Sequence, residues 1–261
     1  MLPPSDTKAD NNFDTQQLGP DPRHPYCRRK LGSPCPAISA MINHSYLKPK
    51  DEKDDISICQ LARAMVECYN LTWNFAIIFS ILGTFALGRW TGFNIIELGV
   101  HGKVEHDASI SRFNASEGDA LNPNSALVED FLNNVNSSTL NEKGNQINQS
   151  SNLVTLEDFA RQKVKLESRL KRFLPSQPKS TINFLGRGES CLALLANSYV
   201  DKSIANHPIS TRSDWLRVWF TDERLPVELG WRKPNEKIGL RNTLAMMAKM
   251  EKLQKSISPS S

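Results

Sequence analysis

The sequence predicts an all-α fold, and two observations carry that expectation. Apolar residues recur at helical spacing, first across residues 56–69 (Ile56, Ile58, Leu61, Ala64, Met65, Cys68) and again across 156–173. Strand signals are few and no internal repeat stands out. With 261 residues, 39% of them hydrophobic, the chain can bury one sizeable core or two small ones.

The elements follow in order. Residues 1–26 are polar and rich in Pro and Asp, and are expected to form an irregular arm. A first helix is predicted over 35–48: Pro36 suits the first helical position, and Lys48-Pro49 ends the run. The periodic segment 56–69 is the second helix. Residues 70–88 form the longest uncharged run and contain Phe75-Ala76-Ile77-Ile78-Phe79-Ser80-Ile81-Leu82. That run approaches the ~20 residues of a membrane span, but Asn70, Asn74, Ser80 and Thr84 dilute it. It is read as a buried core helix, with membrane association as the alternative. Residues 94–100 lead into a turn at His101-Gly102. The Asn- and Ser-rich stretch 114–152 is the least core-like, with one short helix expected over 126–132. Thr155 with Asp158 resembles a capping box and opens the helix 156–173. In that helix Arg161, Lys163, Lys165, Arg169 and Lys171 read as a solvated face. An apolar segment (192–199), an aromatic amphipathic one (215–220), a Pro- and Gly-bearing one (225–231) and a Met-rich last helix (240–253) complete the chain.

Net charge is +4, from 32 basic against 28 acidic residues, and the signs are mixed. No basic stripe with interleaved aromatics is present, which argues against nucleic-acid binding. The cysteines are Cys27, Cys35, Cys59, Cys68 and Cys191. Their odd number and the absence of C-x-x-C spacing argue against a disulfide framework and a zinc ribbon, leaving one pair involving Cys27 open. Cys59 and Cys68 are expected to be buried as small hydrophobes. No secretory signal is visible at the N-terminus, which favours an intracellular protein or else an incomplete N-terminus. Sequons at Asn43, Asn70, Asn114, Asn136 and Asn148 do not settle the compartment in a chain so rich in Asn, Ser and Thr.

Three segments carry candidate chemistry. Cys35 lies between prolines in Ser33-Pro34-Cys35-Pro36-Ala37, where it would be the N-cap of the first helix. The free N–H groups of Ala37 and Ile38 and the positive helix end would then favour its thiolate. Such a thiolate can be a nucleophile, a zinc ligand or the axial ligand of a haem. In His101-Gly102-Lys103-Val104-Glu105-His106-Asp107-Ala108-Ser109, helical spacing would put Glu105 and Ser109 on one face and suit a cation. An acid-rich helix start is the plainer alternative. His101 is read as a turn residue rather than a second ligand. Glu189, in Gly186-Arg187-Gly188-Glu189 before the apolar Leu192-Ala193-Leu194-Leu195, is either a dipole partner at a helix start or a functional acid–base. Phe75, Phe79 and Phe113 could line a substrate channel, but core positions are the expectation. His24, His44 and His207 carry no clear signal.

Taken together, Ser33-Pro34-Cys35-Pro36-Ala37-Ile38-Ser39-Ala40 with Asn43-His44-Ser45-Tyr46-Leu47 resembles the proximal signature of the fungal haem-thiolate peroxidases, the chloroperoxidase and unspecific peroxygenase family. Glu105-His106-Asp107-Ala108-Ser109-Ile110-Ser111-Arg112 is similar to that family's second signature, and Glu189 falls at its distal glutamate. Asp214-Trp215-Leu216-Arg217-Val218-Trp219-Phe220 and Glu223-Arg224-Leu225-Pro226-Val227-Glu228-Leu229-Gly230-Trp231 resemble its C-terminal pattern. The resemblance implies a single compact multi-helix domain over 21–250 enclosing one haem b, with an arm at 1–20 and a disordered tail at 251–261. It implies Cys35 as axial haem ligand and Glu189 as distal acid–base, held by His106 as in the shorter, His-bearing members. Longer members carry Gly in place of that His and an Arg seven residues before the glutamate, where this chain has Ile182; Arg187 does not occupy that spacing. The resemblance further implies a Mg2+ or Mn2+ ion on Glu105, Ser109, the backbone at His106 and a haem propionate. Hydrogen peroxide would be the oxidant, and a small organic molecule or a halide the substrate. No nicotinamide would be needed, and no Gly-rich dinucleotide loop is present. A glutamate acid–base, ordinarily titrating near pH ~4.3, points to activity at mildly acidic pH. The alternatives are a pathway-specific tailoring oxidase on the same scaffold in fungal secondary metabolism, a haem-binding relative without turnover, and a non-enzymatic membrane-associated protein anchored by residues 70–88.

Overall fold

The computed structural model describes residues 21–29, 32–138, 153–170, 179–199 and 209–258. The described residues are mostly helical, as expected. The helices are α1 (Pro36–Asn43), α2 (Ile58–Tyr69), α3 (Trp73–Ala86), α4 (Ile95–Leu98), α5 (Ser125–Ser138), α6 (Leu156–Arg169), α7 (Lys179–Ala196), α8 (Ser213–Thr221) and α9 (Leu240–Ile257). Two short antiparallel pairs join them: β1 (Ile56–Ser57) with β2 (Gly92–Phe93), and β3 (Leu153–Thr155) with β4 (Ser210–Arg212).

The caps explain several boundaries. Ser57 opens α2 with a reciprocal box, accepting from the Gln60 N–H at 3.2 Å while the Gln60 side chain accepts from the Ser57 N–H at 2.8 Å. Asn70, left-handed at φ 59°, closes the same helix. The Thr155–Asp158 box starts α6, where the Asp158 carboxylate accepts from the Thr155 N–H at 2.9 Å. α1 stops at Asn43, short of the expected 48, and α6 stops at Arg169. Residues 171–173 lie outside the described residues. α9 runs to Ile257, past the boundary drawn at 250.

α3 departs from expectation. A buried core helix was predicted, yet the side it buries carries Phe75, Ala76, Ser80 and Thr84, while Ile78, Phe79, Leu82 and Phe85 are exposed. Small residues let α3 press closely against α2, its most extensive partner. The two hydroxyls in this seam donate to carbonyls one turn back, Ser80 to Ala76 and Thr84 to Ser80, each at 2.8 Å. Bulky apolar side chains are left outside. No described helix is long and apolar enough to cross a membrane.

The remaining helices enclose the chemistry. α6, α7 and α9 pack on one another, α5 bridges α6 and α8, and α1 rests on α2 and α8. α1 carries the segment that begins at Cys35; α7 carries Glu189.

Candidate functional site

Cys35 is the N-cap of α1 in extended conformation (φ −103°, ψ 110°), with Pro36 next in the chain. The expected N-cap geometry is therefore present, but its electrostatic outcome differs from the expectation. Burial pushes the Cys35 thiol up, and the nearby Glu189 carboxylate adds to this. The N–H groups of Ile38 and Ala37 and the Arg112 guanidinium oppose it without reversing it. The helix end alone therefore does not offset the burial of this thiol. A metal that coordinates a thiol displaces its proton.

The loop before Cys35 is fastened from behind. The Cys35 N–H donates to Ser33 Oγ at 3.2 Å, and buried Arg112 donates to the Ser33 carbonyl through Nη2 at 3.0 Å. The same guanidinium donates to Glu223 at 2.6 Å and to Ser111 Oγ at 2.7 Å. Burial moves Glu223 up and Arg112 down, while each draws the other back toward its charged form. His44 and Asn43 complete the attachment. The His44 Nδ1–H donates to the His24 carbonyl at 3.0 Å, its Nε2 accepts from the Leu225 N–H at 3.1 Å, and the Asn43 amide donates to the Glu223 carbonyl at 3.1 Å. The C-terminal segment 222–225 therefore holds the Cys35 segment in place.

Residues 101–113 form no helix, so Glu105 and Ser109 do not share a helix face. The chain turns through Gly102 at φ 86° and brings His101 back onto Glu105, with Nδ1 against the carboxylate. Ligand atoms of His101, Glu105 and Asp107 lie within 4.8 Å of one another, with both acids buried. His101, expected only to shape a turn, thus joins the acids. Burial pushes the Glu105 carboxyl up, against the pull of His101. Asp107 Oδ1 is buried without a hydrogen-bond partner among the described residues. Ser109 is buried in the same loop and accepts a long contact, 3.5 Å, from the Ser111 N–H. Two carboxylates with an imidazole and a hydroxyl nearby are a donor set that suits a divalent cation.

Glu189 was expected at a helix start if it served the dipole. It lies instead deep in α7, ten residues after Lys179, which removes the dipole reading. The sequence misleads here because Gly186 and Gly188, which look like helix breakers, are inside the helix. Glu189 Oε2 faces His106 Nε2 at 3.6 Å and has no hydrogen-bond partner among the described residues. The other ring nitrogen, Nδ1, lies 2.8 Å from the Asp107 carbonyl, which can only accept, so Nδ1 carries the proton. Burial lowers the His106 pKa and favours its neutral form. A neutral imidazole with Nδ1–H presents a lone pair at Nε2, which faces the carboxylate oxygen at 3.6 Å, beyond hydrogen-bond distance.

Expectations about Lys163, Cys59, Phe79 and Phe113 need correction. Lys163, assigned to the solvated face of α6, is fully buried and donates to the Ala108 carbonyl at 2.7 Å. Cys59 is exposed, whereas Cys68 is buried; all five cysteines are free, so Cys27 forms no pair. Arg187 points toward α9, donating to Gln254 at 2.6 Å and lying 3.4 Å from Glu251. Of the three phenylalanines, Phe75 is buried, while Phe79 and Phe113 are exposed. Sequence reasoning missed the work of Arg112, Glu223, His44 and Lys163. The first two were visible as members of the second and C-terminal signatures, but nothing in the sequence paired them.

A comparison with curated proteins finds no match. The family model for "Peroxidase, family 2" matches residues 23–236, a span that holds Cys35, Glu105, His106, Ser109 and Glu189. The chain therefore belongs to peroxidase family 2, the chloroperoxidase or haem-thiolate peroxidase family.

Proposed function

We propose that this protein is a peroxygenase or haloperoxidase of the short, His-bearing kind, using hydrogen peroxide to oxygenate a small organic substrate or to oxidise a halide. Family membership makes it a peroxide-dependent haem peroxidase. The observation that carries the finer reading is Glu189. Its Oε2 is buried and unpartnered among the described residues, beside His106 and close enough to Cys35 to raise the thiol's pKa.

The residues present fit a haem b. Cys35 offers a sulfur at a helix start, on a loop anchored by Arg112, and Glu189 offers a carboxylate whose buried Oε2 has no hydrogen-bond partner among the described residues. When bound through Cys35, the haem supplies thiolate electron donation that favours O–O cleavage. The protein's own part is proton handling. Glu189 takes a proton from one oxygen of the peroxide and returns it to the other, so that water leaves. His106 flanks Glu189, its Nε2 lying 3.6 Å from Oε2, with its own tautomer fixed by the Asp107 carbonyl. A Mg2+ or Mn2+ ion would be held by Glu105 and Ser109, with His101 and Asp107 placed beside Glu105 to contribute.

Haem-supplemented expression followed by spectroscopy tests the reading. The holoprotein should be coloured, and the Glu189→Gln variant should keep its spectrum while peroxide-driven turnover falls by roughly 10²–10⁴-fold. Unchanged turnover in that variant would remove Glu189 from its role. Turnover with peroxide over an aromatic, an alkane and bromide then separates peroxygenase from haloperoxidase activity.

A further inference from the structure

Lys163 is out of place by charge. It occupies the inward stripe of α6 with Leu156, Phe159, Ala160 and Leu166, where an apolar residue would be expected, and it is 0% exposed. A lysine near a surface normally extends its stem so that the ammonium reaches water. Here the ammonium stays inside, and among the described residues no carboxylate lies within 4.0 Å of it. Among the described residues its one hydrogen bond goes to the Ala108 carbonyl, at 2.7 Å.

Both neighbours of this ammonium belong to the proposed site. Ala108 lies two residues after His106 and adopts a left-handed backbone, φ 61°, which a residue with a Cβ seldom takes. The Ala108 peptide is tied on both sides: its carbonyl by Lys163, and its N–H by Asn114 Oδ1 at 2.7 Å. Gly186 lies three residues before Glu189 on α7, one turn away on the same side of the helix. A Cβ at Gly186 would come within 2.2 Å of Lys163 Nζ and 2.5 Å of its Cε. A glycine inside a helix is a cost in itself. At this position it makes room for the lysine.

We propose that Lys163 is a positioning residue for the distal pair. Its buried ammonium, between the Ala108 carbonyl and the bare α-carbon of Gly186, fixes the loop carrying His106 against the helix carrying Glu189. The proposal rests on reading those two residues as the proton-handling pair. Lys163 itself touches neither peroxide nor substrate; it sets the separation of the groups that do. Misplacing a reacting group by about an ångström can cost roughly 100-fold in rate.

The test uses the full-length holoprotein and follows the haem absorbance change on mixing with hydrogen peroxide. Lys163→Met and Gly186→Ala should each lower the second-order rate constant at least about tenfold. The reduced carbonyl spectrum, which reports on Cys35, and the KM for the organic substrate should not change. Gly186→Ala should add less than about twofold to the loss in a Lys163→Ala background, since the clash it creates is then gone. Asn114→Ala, which frees the other side of the Ala108 peptide without exposing or burying a charge, should also slow the peroxide reaction and covers the case in which a Lys163 variant fails to fold. Glu189→Gln is run alongside. If it is slow while Lys163→Met, Gly186→Ala and Asn114→Ala stay within twofold of wild type, the positioning role is wrong and the pair survives. If Glu189→Gln is itself unimpaired, the pair and this role fall together. Equal losses from Gly186→Ala with and without Lys163 would also overturn it.

Discussion

At the scale of single residues, chemistry and burial pull against each other. Glu189 keeps a buried oxygen without a hydrogen-bond partner among the described residues, a costly arrangement for a group with only a structural task. Its position beside His106 was legible in the sequence through motif order. Its depth in α7 was not, because two glycines concealed a continuous helix. Lys163 was hidden for a similar reason: charge suggested solvent, and only the stripe with Phe159 and Ala160 hinted otherwise. His44 gives a pH prediction. Its Nε2 accepts from the Leu225 N–H, and burial holds its pKa below the ordinary histidine value. The unfolded chain therefore takes up a proton that the folded imidazole refuses. The stability this histidine contributes is present above its ordinary pKa of about 6.5 and is lost as pH falls below that value. Thermal melts between pH 7.5 and 5.5 should show wild type losing more than His44→Gln over that range. Parallel curves would remove His44 from the account.

At the scale of elements, the firmest tie is the one that holds the Cys35 loop. Arg112 and Glu223, 111 residues apart in the chain, meet at 2.6 Å in the interior, and Arg112 also binds the Ser33 carbonyl. Removing one partner leaves a buried charge alone, which costs about 3–5 kcal/mol. Arg112→Ala should lower the unfolding free energy by about that much and loosen haem binding; a denaturant melt and a haem titration measure the two effects. α3 supports a second prediction. Ser80 lies in the tight seam on α2, while Leu82 is 63% exposed. Ser80→Leu should cost about 1–3 kcal/mol through overpacking. Leu82→Gln should stay within about 0.5 kcal/mol of wild type. The reverse order would mean that α3 presents its other side to the core. The expectation of a core helix did not say which side is buried, and the buried side carries Ser80 and Thr84 where bulkier apolar residues stay exposed.

At the scale of the whole molecule, the helical class and most helices were readable from periodicity and caps, as the Thr155–Asp158 box and the 56–69 stripe illustrate. Contacts far apart in sequence were not readable: the 222–225 segment under Cys35 and Gly186 opened for Lys163. Each is set by the tertiary path of the chain, which local spacing does not encode. The fold places a sulfur at the start of α1 and a carboxylate with a buried oxygen on α7. The central claim is that Cys35 is the axial ligand of a haem. The absorbance of the reduced carbonyl complex of the haem-reconstituted protein tests it most directly. A red-shifted, thiolate-type Soret band that disappears in Cys35→Ala is the predicted result. A colourless protein, or a carbonyl band unaffected by that substitution, would contradict it.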